Sequence, residues 1–262
     1  MLFYEPSTRT KFSFEAAIHS IGGASIGFAD PRSAAVEKGE SLADTVRVLQ
    51  GYADILILRH PMDGAARFAA EAASKPVINA GSGTEEHPTQ AMLDLYTIMR
   101  EKRRIDGLNV AVVGDLKYGR TIYSLLYGLA KFEPQVFLVS PPQLRVREEA
   151  LYDLEGKLKV SQHRSLEEVI SAADVLYVTR IQRERFPDPQ EYEKVRGSYV
   201  IDQSTLERAK EGLIIMHPLP RAGEISAEID STPFAKYFVQ AELGKVLRAA
   251  LIALILNEDS TV

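Results

Sequence analysis

The chain has 262 residues, a formal net charge of −5, 45% hydrophobic and 26% charged residues, and no cysteine. The lack of cysteine excludes disulfides, thiolate nucleophiles and thiolate-bound zinc, so any chemistry must use oxygen and nitrogen groups. An acidic protein is a poor general binder of nucleic acid, and no apolar run is long enough to span a bilayer. We therefore expect no nucleic-acid partner and no membrane role. No secretory signal opens the sequence, which predicts the cytoplasm as its location.

Apolar runs rich in β-branched residues alternate with helical patterns along the chain. Strands are predicted at 24–28, 53–58, 75–78, 108–114, 135–139, 174–178, 198–201 and 213–216. Helices are predicted at 10–21, 41–52, 64–73, 87–102, 119–132 and 165–172, with two more in 233–257 that break at Leu243-Gly244. Such βα alternation is typical of the α/β class, with buried parallel strands and helices on both sheet faces.

The length suggests two domains, because single hydrophobic cores stop growing near ~250 residues. The long helix that begins at His87 is followed by the basic stretch 102–104 and then by a new strand, so this helix is expected to link the domains. We predict two similar domains, each with a central parallel sheet flanked by helices. The first spans 1–88 and is completed by a C-terminal helix at 244–262, and the second spans 89–243.

The first candidate site follows the apolar residues 2–4. Ligands of parallel sheets bind at the carboxyl ends of strands, where loops lead into helix N-termini. The sequence Ser7-Thr8-Arg9-Thr10 enters a predicted helix there, so that helix amides, hydroxyls and the guanidinium of Arg9 can surround an anion. This pattern indicates a phosphate site. The alternative is a hydroxyl helix cap beside an exposed arginine.

Two further junctions in the first half have the same character. Arg59-His60-Pro61 leaves a predicted strand, and His87-Pro88-Thr89-Gln90 opens the linking helix. A helix N-terminus disfavours the imidazolium, so His87 there is expected to be a neutral hydrogen-bond donor to a carbonyl oxygen. On this motif alone, a capping histidine followed by a proline at the first helical position is an equal alternative.

Three junctions of the second half repeat the pattern. Gly114 to Arg120 follows one strand, Thr179-Arg180-Ile181-Gln182 follows another, and His217-Pro218-Leu219-Pro220 follows a third. The spacing of Gly114 and Gly119 does not match a dinucleotide fingerprint, which argues against that kind of site. The prolines beside Leu219 favour an extended backbone, whose carbonyls can accept from an NH2 group. The histidines at 19, 60 and 163 have no partner at metal-binding spacing, and no metal is expected.

Four of these motifs, in this order, resemble the aspartate/ornithine carbamoyltransferase family: Ser7-Thr8-Arg9-Thr10, Arg59-His60-Pro61, His87-Pro88-Thr89-Gln90 and His217-Pro218-Leu219-Pro220. The resemblance covers essentially the whole chain. Leu219 favours the aspartate branch, because ornithine enzymes have a cysteine there, and the sequence Thr179 to Gln182 favours it as well. The resemblance implies transfer of a carbamoyl group from carbamoyl phosphate to the amine of L-aspartate. This reaction needs no cofactor and belongs to pyrimidine biosynthesis.

The resemblance also implies a role for each matching residue. The phosphate would be bound by Ser7, Thr8, Arg9, Thr10 and Arg59. The carbamoyl oxygen would be surrounded by Thr10, Arg59 and His87, which with Arg9 are the implied catalytic residues. The carbamoyl NH2 would be held by Gln90 and by the carbonyls of Leu219 and Pro220. The aspartate carboxylates would be bound by Arg120, Arg180 and Gln182.

The family is trimeric, and a loop of the neighbouring subunit completes each site. The matching loop here is 30–40, which implies roles for Lys38 and Ser33, although Ala34 occupies the place where the family pattern has its serine. A regulatory subunit is a further possible partner. The family normally has several dozen residues before the first motif, so we expect a strand and a helix to be absent and apolar surface on the last helix to be exposed.

Three other functions compete with this interpretation. A carbamoyltransferase with a different amine acceptor is the nearest, and a nicotinamide-dependent dehydrogenase is more distant. A subunit that binds metabolites or partners without catalysis is a third. Acceptor screening, cofactor binding and turnover, respectively, distinguish them.

Overall fold

The computed structural model describes residues 1–30, 39–84, 86–181, 183, 186 and 188–258. The chain divides into two compact units, which are a first unit of Met1–Leu93 with Glu242–Val262 and a second unit of Asp94–Ala241. Within the described part of the chain, no helix has the length and apolar character needed to cross a membrane.

The first unit contains a three-stranded parallel sheet in the order β1-β2-β3. Its strands are β1 (Leu2–Phe3), β2 (Leu56–His60) and β3 (Val77–Ser82), and its helices include α1 (Thr8–Ser20), α2 (Leu42–Leu49) and α3 (Ala65–Ala72). Ile57 packs in one apolar cluster with Phe3 and Phe14, while its neighbours Leu56 and Leu58 pack in another. Because successive side chains of a strand point to opposite faces, both faces of this sheet are covered.

The second unit contains a five-stranded parallel sheet in the order β6-β5-β4-β7-β8. Its strands are β4 (Asn109–Val113), β5 (Gln135–Val139), β6 (Lys159–His163), β7 (Val175–Val178) and β8 (Ile214–Met216), and its helices include α5 (Arg120–Leu129), α6 (Glu148–Leu154), α7 (Pro189–Val195) and α8 (Gln203–Leu206). Successive residues of the central strands again pack in two different apolar clusters, one on each face of the sheet. The predicted α/β class, with parallel sheets flanked by helices, is confirmed in both units.

Two long helices contain the unit boundaries, α4 (Pro88–Lys102) and α9 (Tyr237–Glu258). The predicted break at Leu243-Gly244 is wrong, since α9 is continuous through both residues. A β-carbon at Gly244 would lie 2.5 Å from Nη1 of Arg248 and 3.4 Å from a methyl carbon of Leu93. The glycine therefore marks a close approach of side chains and does not end the helix.

Several secondary-structure predictions are wrong where the apolar pattern of the sequence is weak. Predicted strands at 24–28 and 198–201 form only single bridges, Leu2 with Phe28 and Ile201 with Ile225. Strand β6 was not predicted because its residues are mostly polar, as an edge strand permits. The predicted helix at 165–172 contains only the 3-10 helix Leu166–Glu168, and α6 and α7 were not predicted.

Candidate active site

The carboxyl ends of the three strands in the first unit bring the predicted junctions of the first half to one edge of the sheet. Phe3 pairs with Arg59 in the β1–β2 register, and the amide of Tyr4 donates to the carbonyl of Arg59 over 2.8 Å. Strand β1 leads into α1, β2 ends just after Arg59, and β3 leads through a short loop to His87. Parallel strands place all three exits on the same side, which is where such sheets bind ligands.

The start of α1 places hydroxyl groups next to one another. Ser7 immediately precedes the helix, and its Oγ donates to Oγ1 of Thr10 over 3.0 Å. The Ser7 side chain forms no hydrogen bond to the helix amides, so the alternative of a hydroxyl cap is not supported. Thr10 is buried, whereas Thr8 and Arg9 are exposed. The free end of the helix dipole and these hydroxyls form a setting suited to an anion.

Arg59 is a buried cation at the end of β2, with 7% of its surface exposed. Its Nη1 donates to the carbonyl of Ala80 over 3.2 Å, and its Nη2 donates to Oε1 of Glu5 over the same distance. Nη1 also lies 3.4 Å from Nε2 of His87. A buried guanidinium needs such partners, because its desolvation is otherwise costly. Glu5 was not among the residues selected from the sequence, although an acidic residue beside the phosphate motif was a signal of a countercharge.

His87 and Gln90 are buried at the start of α4. The carbonyl of His87 accepts from the amides of Gln90 and Ala91 over 3.0 and 3.2 Å, which fixes the first helical turn. Gly83 anchors the loop before His87, because its amide donates to the carbonyl of His60 over 3.0 Å. Its φ is +50°, and a β-carbon there would lie 1.7 Å from a carboxylate oxygen of Asp63, so only glycine fits.

In the second unit, the arginines selected from the sequence follow neighbouring strands. Val113 of β4 pairs with Val178 of β7, and each strand leads directly to one of the two loops. Arg120 is the first residue of α5, and Arg180 lies two residues beyond β7; both are half-buried. The adjacent carboxyl ends therefore present two cationic side chains on one edge of this sheet.

The glycines of the loop after β4 have a packing role. Gly114 has φ +120°, and a β-carbon there would lie 2.2 Å from the carbonyl oxygen of Thr179. A β-carbon at Gly119 would lie 2.8 Å from the carbonyl oxygen of Asp115. Asp115 is fully buried, and its Oδ1 accepts from the amides of Lys117 and Tyr118 over 3.2 and 2.9 Å. Close backbone packing thus explains both glycines without a dinucleotide.

The loop after β8 is held through His217, which is 1% exposed. The amide of Leu219 donates to Nδ1 of this histidine over 2.8 Å, so the ring proton lies on Nε2, 2.6 Å from Oε1 of Glu224. Burial acts to raise the pKa of Glu224, but the hydrogen bonds from His217 and the amide of Ala222 outweigh it and lower this pKa. The extended backbone predicted beside the prolines is wrong at Leu219, which has φ 57°, in the left-handed region, and Pro220 follows it in a cis peptide.

Several selected residues lie outside the described part of the chain, namely Ser33, Lys38 and Gln182. Among the described residues, no group of three or more His, Asp or Glu side chains is arranged to hold a metal ion. The selected residues that are described divide into two groups, one at the carboxyl edge of each sheet. The residues that were missed from the sequence, such as Glu5 and Glu224, support these groups as hydrogen-bond partners.

Comparisons with known proteins agree with this geometry. Models of the carbamoyl-phosphate-binding and aspartate/ornithine-binding domains of aspartate/ornithine carbamoyltransferase match residues 1–100 and 106–255. The aspartate carbamoyltransferase catalytic subunit of Cenarchaeum symbiosum is 62% identical over 257 residues, which cover 98% of this chain and 83% of that protein. The catalytic subunit of M. jannaschii aspartate transcarbamoylase has a TM-score of 0.91 and 52% identity, covering 100% of this chain and 85% of that one.

A more distant structure is that of aspartate transcarbamoylase from Trypanosoma cruzi in complex with carbamoyl phosphate and aspartate. It has a TM-score of 0.89 and 39% identity, and the match covers 96% of this chain and 80% of that one. Family models and relatives therefore agree over both units. The chain belongs to the aspartate/ornithine carbamoyltransferase family.

Proposed function

We propose that the protein transfers the carbamoyl group of carbamoyl phosphate to the amine of L-aspartate, giving N-carbamoyl-L-aspartate and phosphate. The observation that supports this most directly is the buried pair of Arg59 and His87 in the first unit. Nη1 of Arg59 and Nε2 of His87 are 3.4 Å apart, so one oxygen atom can contact both. The guanidinium donates to that oxygen, and His87 also donates in the tautomer that carries its proton on Nε2. Such a pair suits a carbonyl oxygen that becomes negative during the reaction.

The reaction needs charge stabilisation at one oxygen and a leaving group that accepts a proton. The free amine of aspartate attacks the carbamoyl carbon, the carbonyl electron pair moves to the oxygen, and Thr10, Arg59 and His87 stabilise the resulting oxyanion. The carbon–oxygen bond to phosphate then breaks, and the departing phosphate takes the proton from the amine. Removing one oxyanion donor typically costs ~3 kcal/mol, or roughly 10²-fold in kcat. Orientation of the two substrates supplies much of the remaining acceleration.

We assign the anionic groups of the substrates to the cationic residues. Ser7, Thr8, Arg9 and Thr10 at the start of α1 bind the phosphate together with Arg59, which is the anion site expected of a helix N-terminus. Arg120, Arg180 and Gln182 bind the two carboxylates of aspartate, for which guanidinium forks are well suited. Gln90 and the carbonyls of Leu219 and Pro220 hold the carbamoyl NH2.

The assembly and location are further parts of the proposal. We propose a homotrimer in which Ser33 and Lys38 of a neighbouring subunit complete the phosphate site, and we propose the cytoplasm as its location. The relatives are named catalytic subunits, which supports a regulatory subunit as an additional partner. The mass of the purified protein, measured by light scattering, tests the trimer.

Steady-state formation of carbamoyl aspartate tests the proposed reaction. Purified protein is assayed with carbamoyl phosphate and either L-aspartate or L-ornithine, alongside Arg9→Ala and the control Arg47→Ala, whose side chain is exposed on α2. We expect turnover with L-aspartate and none with L-ornithine. The turnover with L-aspartate should be lost in Arg9→Ala and retained in Arg47→Ala. Turnover with ornithine would indicate another acceptor. A folded protein that turns over neither acceptor would contradict the proposed activity.

A further inference from the structure

A chain of buried hydrogen bonds in the second unit ends at the loop after β8. The hydroxyl of Tyr177 donates to Oδ2 of Asp94 over 2.8 Å, and Nε2 of Gln240 donates to Oδ1 of Asp94 over 2.6 Å. Oε1 of Gln240 in turn accepts from the amide of His217 over 2.9 Å. All four residues are at most 1% exposed. Burial of so much polar surface is costly unless it is fully paired, which makes this arrangement highly specific.

Asp94 determines which end of the Gln240 amide faces His217. A glutamine amide can present either an oxygen or an NH2 group, and the two orientations have opposite hydrogen-bonding properties. The Asp94 carboxylate accepts only, so Nε2 must face it and Oε1 must face the backbone N–H of His217. The hydroxyl of Tyr177 carries its proton at neutral pH and donates it to Asp94, and burial and this carboxylate raise its pKa well above the ordinary value. The direction of every bond is therefore set.

His217 transmits this constraint to the residues that follow. Its backbone is held by Gln240, its Nε2–H donates to Glu224, and its Nδ1 accepts from the amide of Leu219. Leu219 adopts φ 57°, a conformation that residues with a side chain rarely adopt without support from their surroundings. His217, held through its backbone amide and through both ring nitrogens, supplies this support.

We propose that Asp94 and Gln240 are positioning residues, which orient the loop of His217 so that the carbonyls of Leu219 and Pro220 accept from the carbamoyl NH2. This inference rests on the proposed function, since it concerns the same substrate. Neither residue touches the reacting atoms. They act through the backbone of the loop, so their loss should weaken recognition of the NH2 group specifically.

Binding measurements on Gln240→Leu separate this role from a general structural one. We expect the Kd of carbamoyl phosphate, measured by titration calorimetry, to rise about tenfold, as for the loss of one or two hydrogen bonds. The Kd of inorganic phosphate should change less than twofold, because phosphate has no NH2 group. Gln203→Leu, at an exposed position of α8, is the matched control and should change neither value.

An exchange of the two polar groups tests the direction of the bonds. Gln240→Glu places two carboxylates together, and Asp94→Asn leaves the Gln240 amide without a fixed orientation. In the double variant, the carboxylate at position 240 can accept from the amide at position 94 and also from the backbone N–H of His217. Both hydrogen bonds of the wild-type Gln240 side chain are then replaced. We expect each single variant to weaken carbamoyl phosphate binding about tenfold and the double variant to recover to within threefold of wild type.

The outcomes distinguish the positioning role from the proposed function. Unchanged carbamoyl phosphate affinity in folded Gln240→Leu overturns the inference, as does equal weakening of carbamoyl phosphate and inorganic phosphate. A double variant no better than the single variants also overturns it, and this comparison decides the matter if Gln240→Leu does not fold. Failure of the wild-type protein to form carbamoyl aspartate overturns the proposed function instead, while the binding comparison remains informative.

Discussion

Replacement of Arg59 by lysine is the most direct test of the chemistry in the first unit. The guanidinium has two terminal nitrogens, of which Nη1 contacts Ala80 and His87 while Nη2 contacts Glu5. Lysine keeps the positive charge but has a single nitrogen, so it cannot occupy both positions. The charge at the site is thereby retained while one donor is lost.

The expected effects on rate and on stability differ in size. Loss of one donor to the oxyanion should lower kcat by about 10²-fold, corresponding to ~3 kcal/mol in the transition state. The partner carboxylate of Glu5 has a side chain that is 28% exposed, so water can compensate for part of its lost hydrogen bond. We expect a stability loss of roughly 1 kcal/mol, or a Tm lower by about 2–4 °C.

Steady-state kinetics and thermal unfolding of Arg59→Lys measure these two effects together. Arg67→Lys is the control, because the Arg67 side chain is 87% exposed and pairs with Glu71 across one turn of α3. The control should retain wild-type kcat and Tm. A folded Arg59→Lys protein with kcat within threefold of wild type would refute the assignment of Arg59 to the oxyanion.

Three other changes test separate parts of the molecule. Thr10→Val removes the hydroxyl that accepts from Ser7, and in steady-state assays it should raise the KM for carbamoyl phosphate about tenfold and lower kcat by about 10²-fold. Arg180→Leu should raise the KM for L-aspartate at least tenfold while leaving the Kd of carbamoyl phosphate unchanged. The lowered pKa of Glu224 means that its stabilisation is fully present above about pH 4.5 and is lost as the pH falls through the folded-state value. In urea unfolding, Glu224→Gln should therefore reduce the loss of stability between about pH 5 and pH 3.

Matched variants serve as controls for these three predictions. Thr10→Ser keeps the hydroxyl and should bind carbamoyl phosphate with nearly wild-type affinity, and a defect equal to that of Thr10→Val would point to packing. An exposed arginine such as Arg164 should tolerate the change to leucine. An aspartate KM unaffected by Arg180→Leu would remove Arg180 from the acceptor site. Equal acid sensitivity of wild type and Glu224→Gln would show that other groups dominate acid unfolding.

The central strands of the fold could be predicted because their burial leaves a strong sequence pattern. Strands β4, β5 and β7 lie in the interior of the larger sheet, and their residues are almost all apolar. Edge strand β6 has the sequence Lys-Val-Ser-Gln-His, with no such pattern, since a strand at the edge can be polar. The prediction of a helix break at Gly244 failed because a glycine in a helix can equally make room for a neighbouring side chain, here that of Arg248 one turn further along α9.

In the candidate site too, residues in short sequence motifs could be predicted, whereas residues that meet only in the folded chain could not. The residues at strand ends, such as Arg59, His87 and Arg180, were selected because each stands in a short motif at a junction whose chemistry is visible in the sequence. Asp94 and Gln240 are 146 positions apart, and no local motif marks either of them. One signal was present, since Asp94 introduces a charge into the buried face of α4.

A buried carboxylate on a helix face is costly unless it fulfils a specific role, so Asp94 requires an explanation that apolar packing cannot give. Its two oxygens accept from Tyr177 and from Gln240, and the second of these bonds determines the orientation of an amide that holds the His217 backbone. A well-packed apolar residue would serve stability at least as well, but it would leave this orientation undetermined. The cost of burying Asp94 is therefore best explained by the precision it gives to the loop of His217.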